Sequence, residues 1–312
     1  MESSSPELSV ILLIGDKRER AQRALDSVLR QDCIECMEVL LIDLTHCDAA
    51  PLERHDHPRV RQIRPAPGSS FAGARAVATT EARAPYVAFL EEHAEAMPGW
   101  AAGILRGFEQ GWTAVAYETH NMNPDEGISN ATYLANYMPW LAPARRGPAD
   151  FVAAGNAAYR RDALMKYADE LSQLYGNDQL LQWRLAADGH RFGIEPEARF
   201  SHCNETDLAV ATRGLFLFNR FMAPMRARLF NWNTLRLCIY AFGLPLIPLV
   251  RFTKQLIYLR REHPDLVPSM LRSAPWILAC NYSAAAGQTT GLLLGSGNAL
   301  DEFWDFELNA DR

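Results

Sequence analysis

The chain has 312 residues, enough for one large domain or for a domain with an appendage. Hydrophobic residues make up 48% and charged residues 22%, a balance that excludes wholesale disorder. The formal net charge is -6, from 31 Lys and Arg against 37 Asp and Glu, so there is no basic footprint of the kind a nucleic-acid partner requires. A local nucleotide pocket stays compatible with that charge.

The opening MESSSPELSV has neither the basic region nor the apolar core of a secretory signal. Together with six scattered cysteines this predicts reduced thiols in a cytoplasmic compartment. Cys33 and Cys36 have the spacing of half a zinc or redox site, but no second pair follows, which favours two free thiols.

Residues 8–14 (LSVILLI) are a continuous apolar run of strand length, the pattern of a strand buried on both faces. Ala21, Ala24, Leu25, Val28 and Leu29 then recur at helical spacing. Residues 37–42, 60–63, 86–90 and 113–117 read as further strands, with a helix over 69–83 and another starting near Pro98. Strands alternating with helices predict an α/β fold with a mainly parallel central sheet. Residues 120–150 read as a loop or lid. Order resumes at 154–159, followed by a helix from Gly176 or Asn177 through Leu185, a short strand or loop at 200–204, and a long helix over 207–228.

Beyond Asn231 the character changes. Residues 237–250 are uncharged and apolar but short for a bilayer span, 251–261 are basic and amphipathic, and 274–295 are uncharged yet diluted by polar residues. The expected division is a catalytic domain over 1–230 and a C-terminal helical, membrane-associated region over 231–312, peripheral on the inner face of the membrane. Packing on the catalytic domain, or on a second subunit in a homo-oligomer, is the alternative.

Parallel sheets bind ligands beyond the carboxyl ends of their strands. Those ends carry Gly15-Asp16, Asp43 and Glu91-Glu92-His93. Two carboxylates and an imidazole after a buried strand either hold a divalent cation, Mg2+ or with an imidazole preferentially Mn2+, or form a solvated loop. Asp178, at a helix start, either caps that helix or takes a proton from a hydroxyl acceptor. Arg75, in the helix after Gly68-Ser69-Ser70, suits a diphosphate or a plain surface role. The run GSSFAG from Gly68 follows prolines rather than closing the first strand, so it is no dinucleotide loop. His46, His55 and His57, near Cys47, lack a recognised zinc spacing and read as loop histidines.

The order of these pieces resembles family 2 glycosyltransferases with the GT-A fold. LSVILLIGDKRERAQRALDSVLRQ resembles the opening strand and helix, and EVLLIDLTHCD the second strand with its acidic ending. GSSFAGARAVATTEARAPYVAFLEEHAEAMPGW resembles the stretch leading to the metal-binding D-x-D and a following PGW. AGNAAYRRDAL resembles the acceptor-side strand and helix, and GNDQLLQWRL the helix carrying the base. The resemblance covers about residues 8–228.

It implies inverting transfer of a sugar from a nucleotide-diphosphate sugar to a hydroxyl acceptor, glycan or lipid-linked, with a divalent metal. Asp43 would contact the nucleotide base or ribose, and Arg75 the diphosphate, with Gly68 and Glu92 also on the cofactor side. Glu91 and His93 would take the two D-x-D positions, His202 would lie near the metal, and Asp178 would be the catalytic base. Leu44 replaces the second Asp of the second-strand motif, Ala76 an Asn, and Asn177 a Glu. Glu-x-His for Asp-x-Asp leaves open a degenerate protein that binds a nucleotide sugar, or scaffolds a membrane complex, without catalysis. Gln182-Trp183-Arg184 does not match the QxxRW motif of processive synthases, which favours single addition.

Overall fold

Six apolar residues and one serine, whose hydroxyl donates to Glu38 Oε1 at 2.6 Å, offer no face to water, and in the computed structural model all seven of Leu8–Ile14 are buried inside a sheet. The structure describes residues 5–45, 50–66, 68–125, 127–153 and 155–310. In chain order the elements begin with β1 (Leu8–Ile14), α1 (Arg18–Leu29), β2 (Met37–Asp43), β3 (Val60–Ile63), α2 (Phe71–Glu81) and β4 (Tyr86–Phe89). Next come β5 (Ala94–Ala96), α3 (Trp100–Glu109), β6 (Ala114–Asn121), α4 (Gly127–Asn136), β7 (Gly147–Ala149), β8 (Ala157–Arg160), α5 (Arg161–Met165), α6 (Leu171–Tyr175), α7 (Asp178–Ala187) and β9 (Phe192–His202). The chain ends in helices α8 (Leu208–Leu229), α9 (Thr234–Phe242), α10 (Ile247–Glu262), α11 (Val267–Arg272), α12 (Ala274–Leu294) and α13 (Ala299–Asn309).

Two compact units result. The first comprises residues 1–120 and 139–202, the second 121–138 and 203–312. The expected boundary at 230/231 therefore moves to 202/203, because α8 packs along α12 and α13 of the second unit. The expected loop at 120–150 contains α4, which also belongs to the second unit.

In the first unit the strand order is β3-β2-β1-β4-β8-β6-β9-β5, with β7 on β9. β1 pairs in parallel with β2 and β4, and β2 with β3. β4 with β8, β6 with β8, and β9 with β5 and β7 pair antiparallel. The sheet is thus mixed, where alternation predicts a mainly parallel one. Beyond β4, β6 and β8 are two arms of an out-and-back excursion, and an arm that doubles back pairs antiparallel without a crossover. The strand expected at 200–204 is the far end of an eleven-residue one. Its polar Glu195, Glu197 and Ser201 mask the pattern by which a strand is recognised in sequence.

Helix starts follow capping chemistry. Ser70 accepts from Gly73 N–H ahead of α2, Asn177 from Gln179 N–H ahead of α7, and Asp207 from Ala209 and Val210 N–H ahead of α8. Cys33 and Cys36 are free thiols, and the Cys36 thiol donates to the Cys33 carbonyl at 2.9 Å. Burial and the neighbouring Cys33 push the Cys36 thiol up to about 11, which disfavours the thiolate that redox or zinc chemistry needs. His55 and His57 meet backbone groups of their own turn, Leu52 O and Arg59 N–H. His46, Cys47 and Ala154 lie outside the described residues.

The second unit is helical, with α12 at its centre against α8, α9, α10 and α4. The uncharged composition of α12 is that of a core helix. Three of its polar residues have partners within the unit: Asn281 Nδ2 donates to Gln255 Oε1, Ser283 Oγ to Thr212 O, and Gln288 Nε2 to Tyr240 O. Gly287 and Gly291 admit the α8 backbone so closely that a Cβ on them would stand 2.2 Å from Phe216 O and 2.1 Å from Arg220 O. Gly287→Ala is therefore expected to force the two helices apart and to destabilise the protein by about 1–3 kcal/mol, the usual cost of overpacking. Urea unfolding checks this, and an unchanged midpoint would show that the helices adjust freely.

Candidate functional site

β4 ends on Phe89, and the chain turns directly into Glu91-Glu92-His93 before the short β5. The antiparallel register of β5 on β9 sets Ala94 opposite His202. That pairing brings the last side chain of β9 onto the turn, with the His93 and His202 rings 4.7 Å apart in an edge-to-face contact. Both imidazoles address one carboxylate oxygen: Glu91 Oε2 lies 3.4 Å from His93 Nε2 and 3.3 Å from His202 Nε2. Glu91 keeps 24% side-chain exposure while the two histidines are buried.

The far side of Glu91 is fixed by a segment not singled out as a site from sequence. Glu91 N–H donates to Asn156 Oδ1 at 3.0 Å, and Asn156 Nδ2 donates back to Glu91 Oε2. The carboxylate lies directly on Gly155, where a Cβ would stand 2.1 Å from Oε1. The adjacent small and amide residues in AGNAAY were the only sequence signal for this. Burial opposes charge on Glu91, yet the hydrogen bonds and charge of His202 and His93 hold its carboxyl well below the usual carboxylate range.

Glu91, His93 and His202 each offer a ligand atom, all within 4.8 Å of one another. Two donors on one small divalent cation sit about 3 to 3.5 Å apart, given bonds of about 2.1 Å. The observed 3.3 and 3.4 Å fit that cradle. A donor set of two imidazoles and one carboxylate suits Mn2+, or another imidazole-tolerant cation, better than Mg2+.

Glu92 points elsewhere. Its carboxylate forms a buried ion pair of 2.5 Å with Arg20 of α1, and Oε1 lies 3.8 Å from His93 Nδ1. From there its charge favours a proton on Nδ1, with Nε2 directed at Glu91. Glu92 thus meets Arg20 and His93, and neither contact bears on the cofactor contact expected from sequence.

Arg75 and Asp178, assigned to two separate roles, meet each other. Arg75 Nη1 donates to both carboxylate oxygens of Asp178, at 2.9 and 2.8 Å, and the two side chains are 2% and 1% exposed. The guanidinium lies over the rings of Phe89 and Tyr175, 4.2 and 4.6 Å from their centroids. It is enclosed in the core, so the expected diphosphate contact does not follow from its position. Burial pushes the Asp178 carboxyl up against the pull of Arg75, and the charge of Glu91 pushes the same way. Asp178 is thus within electrostatic reach of Glu91, while its direct partner is Arg75.

Asp43 stands two strands away at the carboxyl end of β2, opposite Ile14, about 10 Å from β4 in the hydrogen-bonding direction. It is half exposed, is paired with Arg18 at 2.9 Å, and accepts from Thr45 N–H at 3.1 Å. Gly68 precedes α2 at φ +78° with open space around it, away from any contact with the cradle residues.

Gly155→Ala is expected to drive the Glu91 carboxylate off the two histidines. Titration calorimetry with Mn2+ should show at least a tenfold loss of affinity, about 1.4 kcal/mol. Wild-type affinity in that variant would remove Gly155 from the site. Arg75→Met leaves the Asp178 carboxylate buried without its partner and should cost about 3–5 kcal/mol in urea unfolding, part of which Arg75→Met/Asp178→Leu restores. A neutral Arg75→Met would show that the pair does not hold the core.

Residues 9–168 match the sequence profile of Glycosyl transferase family 2. No curated protein matches at a significant level. Among solved structures 185 chains match. One of them, the crystal structure of GalNAc-T7 with UDP, GalNAc and Mn2+, is 13% identical with a TM-score of 0.44, over 66% of this chain and 45% of that one. The chain thus spans less than half the length of that protein.

Proposed function

Because the chain belongs to glycosyl transferase family 2, and is by that membership a glycosyltransferase, we propose that it moves a sugar from a nucleotide-diphosphate donor to a hydroxyl acceptor with inversion. The observation that carries this reading is the convergence of Glu91, His93 and His202 at a carboxyl end of the sheet; the charge of Glu91 also acts on Asp178. A divalent cation held by Glu91, His93 and His202 supplies, when bound, positive charge against the leaving diphosphate. Asp43, exposed at the end of β2 two strands away, would contact the hydroxyls of the nucleoside.

Asp178 is the base in this proposal. It takes the acceptor proton as the acceptor oxygen bonds to the anomeric carbon, and the carbon–oxygen bond to the diphosphate breaks with its electron pair. Burial serves that task, because a carboxyl pushed up from its ordinary value is a stronger proton acceptor. Arg75 orients the carboxylate through two hydrogen bonds from a single nitrogen, leaving lone pairs for an acceptor. The role requires the pocket to open, since Asp178 is 1% exposed in its side chain.

That same enclosure favours a second reading, in which Arg75 and Asp178 only brace the core and the chain binds donor without turning it over. Asp178→Asn separates the two. A base assignment predicts that kcat falls about 10²- to 10⁴-fold while donor binding, read by calorimetry, survives. Because the folded carboxyl is raised, the wild-type rate should be lost as pH falls through a limb lying above that of a free aspartate. Turnover equal to wild type in Asp178→Asn would reject the base. Donor binding with no transfer by the wild type, across Mn2+, Mg2+ and Co2+, would establish the binding-only protein.

A further inference from the structure

The net charge of -6 conceals a strong asymmetry. Residues 208–262, which hold α8, α9 and α10, contain nine Lys and Arg and a single carboxylate, Glu262 at the very end, paired with Arg261. Three of these arginines converge. Arg226 and Arg236 both lie over the indole of Trp232, 5.1 and 4.6 Å from its centroid, and Arg226 also over Tyr240 at 5.6 Å. Arg251 Nη2 donates to Gln288 Oε1 at 3.2 Å, and Gln288 in turn holds the Tyr240 carbonyl. Among the described residues no carboxylate forms an ion pair with any of the three. Burial pulls Arg226 and Arg251 below the ordinary guanidinium value, and each is lowered further by a neighbouring arginine. Like charges gathered on an aromatic platform and partly withdrawn from water are costly without a counter-anion.

Beside this cluster is an uncovered apolar face. Leu235, Ile239 and Phe242 follow one another along one face of α9, at 69%, 55% and 69% exposure. Leu246, at 67%, stands at the elbow into α10, and Leu249, Val250 and Ile257 continue the exposed apolar surface. No single helix among the described residues is long and apolar enough to cross a membrane, and α9 and α10 meet at 88°. At 1.5 Å per residue the nine residues of α9 reach only about 14 Å, half a hydrocarbon core. An elbow of this kind lies in an interface rather than through it.

We infer that the α9–α10 elbow docks on an anionic lipid bilayer, its exposed apolar residues entering the acyl boundary while Arg226, Arg236 and Arg251 take the phosphates of lipid headgroups. Charge complementarity selects this occupant. The face is apolar, the helices α8 to α10 carry nine cations against one carboxylate, Glu262, and planar guanidinium groups match phosphate geometry. A second copy of this chain would bring the same nine cations against themselves, since a two-fold contact apposes identical surfaces. The inference rests on the second unit alone and stands independently of the transferase reading.

The test is sedimentation of the full chain with vesicles of phosphatidylcholine alone, and of phosphatidylcholine with a quarter phosphatidylglycerol. Wild type should pellet with the anionic vesicles and at least tenfold less with the neutral ones. Arg236→Gln/Lys254→Gln should lose most of the preference. Leu235→Ser/Phe242→Ser/Leu246→Ser should lose binding altogether, with unchanged circular dichroism, because all of these side chains are exposed. Wild type left in the supernatant with both vesicle types overturns the proposal. So does a thermal stabilisation by inorganic phosphate that Arg236→Gln abolishes without any vesicle binding, which would make the cluster a site for a free anion. A concentration-dependent dimer dissolved by the triple serine variant, again without vesicle binding, would overturn it in favour of a second copy.

Discussion

When Ala94 pairs with His202 across the β5–β9 ladder, two imidazoles from distant parts of the chain come edge to face and onto a single carboxylate oxygen. The chemistry of the first unit depends on that register. Because side chains alternate between the faces of a strand, a slip of one residue would turn His202 to the other face and leave Glu91 and His93 with no third donor. The register is held from several sides: Met97 N–H donates to Arg199 O beyond the end of β5, and β9 is also paired along β7. The three-residue cradle is therefore a product of sheet geometry more than of the loop that supplies two of its members.

Around that cradle the protein places carboxylates in three electrostatic settings. Glu91 is held charged by two imidazoles and an amide, Glu92 is neutralised by Arg20, and Asp178 is raised by burial although Arg75 grips both of its oxygens. Carboxylates with such different environments can divide cation binding, positioning and proton transfer among themselves. The division costs stability, since each buried charge is tolerable only with its partner present. Gly155 shows how closely the arrangement is packed, because even a methyl group there would occupy the place of the Glu91 carboxylate.

The second unit solves a different problem with the same elementary rules. α12 is nearly featureless in charge because it is the core, and its Asn281, Ser283 and Gln288 are spent on hydrogen bonds inside the unit. α9 and α10 are apolar where nothing covers them, and Arg226, Arg236 and Arg251 gather with no ion-pair partner among the described residues. Two segments of similar composition thus have opposite physical meanings, and only their burial separates them.

The sequence by itself determined the buried strands at 8–14 and 37–42 and the helix start at Asn177, and it marked Glu91 and His93 as ligand types at a strand end, with His202 added by the family resemblance. It did so because runs of apolar residues, capping side chains and donor chemistry are local properties. Tertiary structure decided what depends on partners distant in the chain. It made the second half of the sheet antiparallel and turned Glu92 towards Arg20. It buried Arg75 on Asp178 rather than leaving it to a diphosphate, recruited Gly155 and Asn156 to Glu91, and assigned α8 to the helical unit. An isolated arginine or glutamate in a sequence carries the same charge whether it faces solvent or the core, and burial with a partner, which settles its role, exists only once the chain has closed on itself.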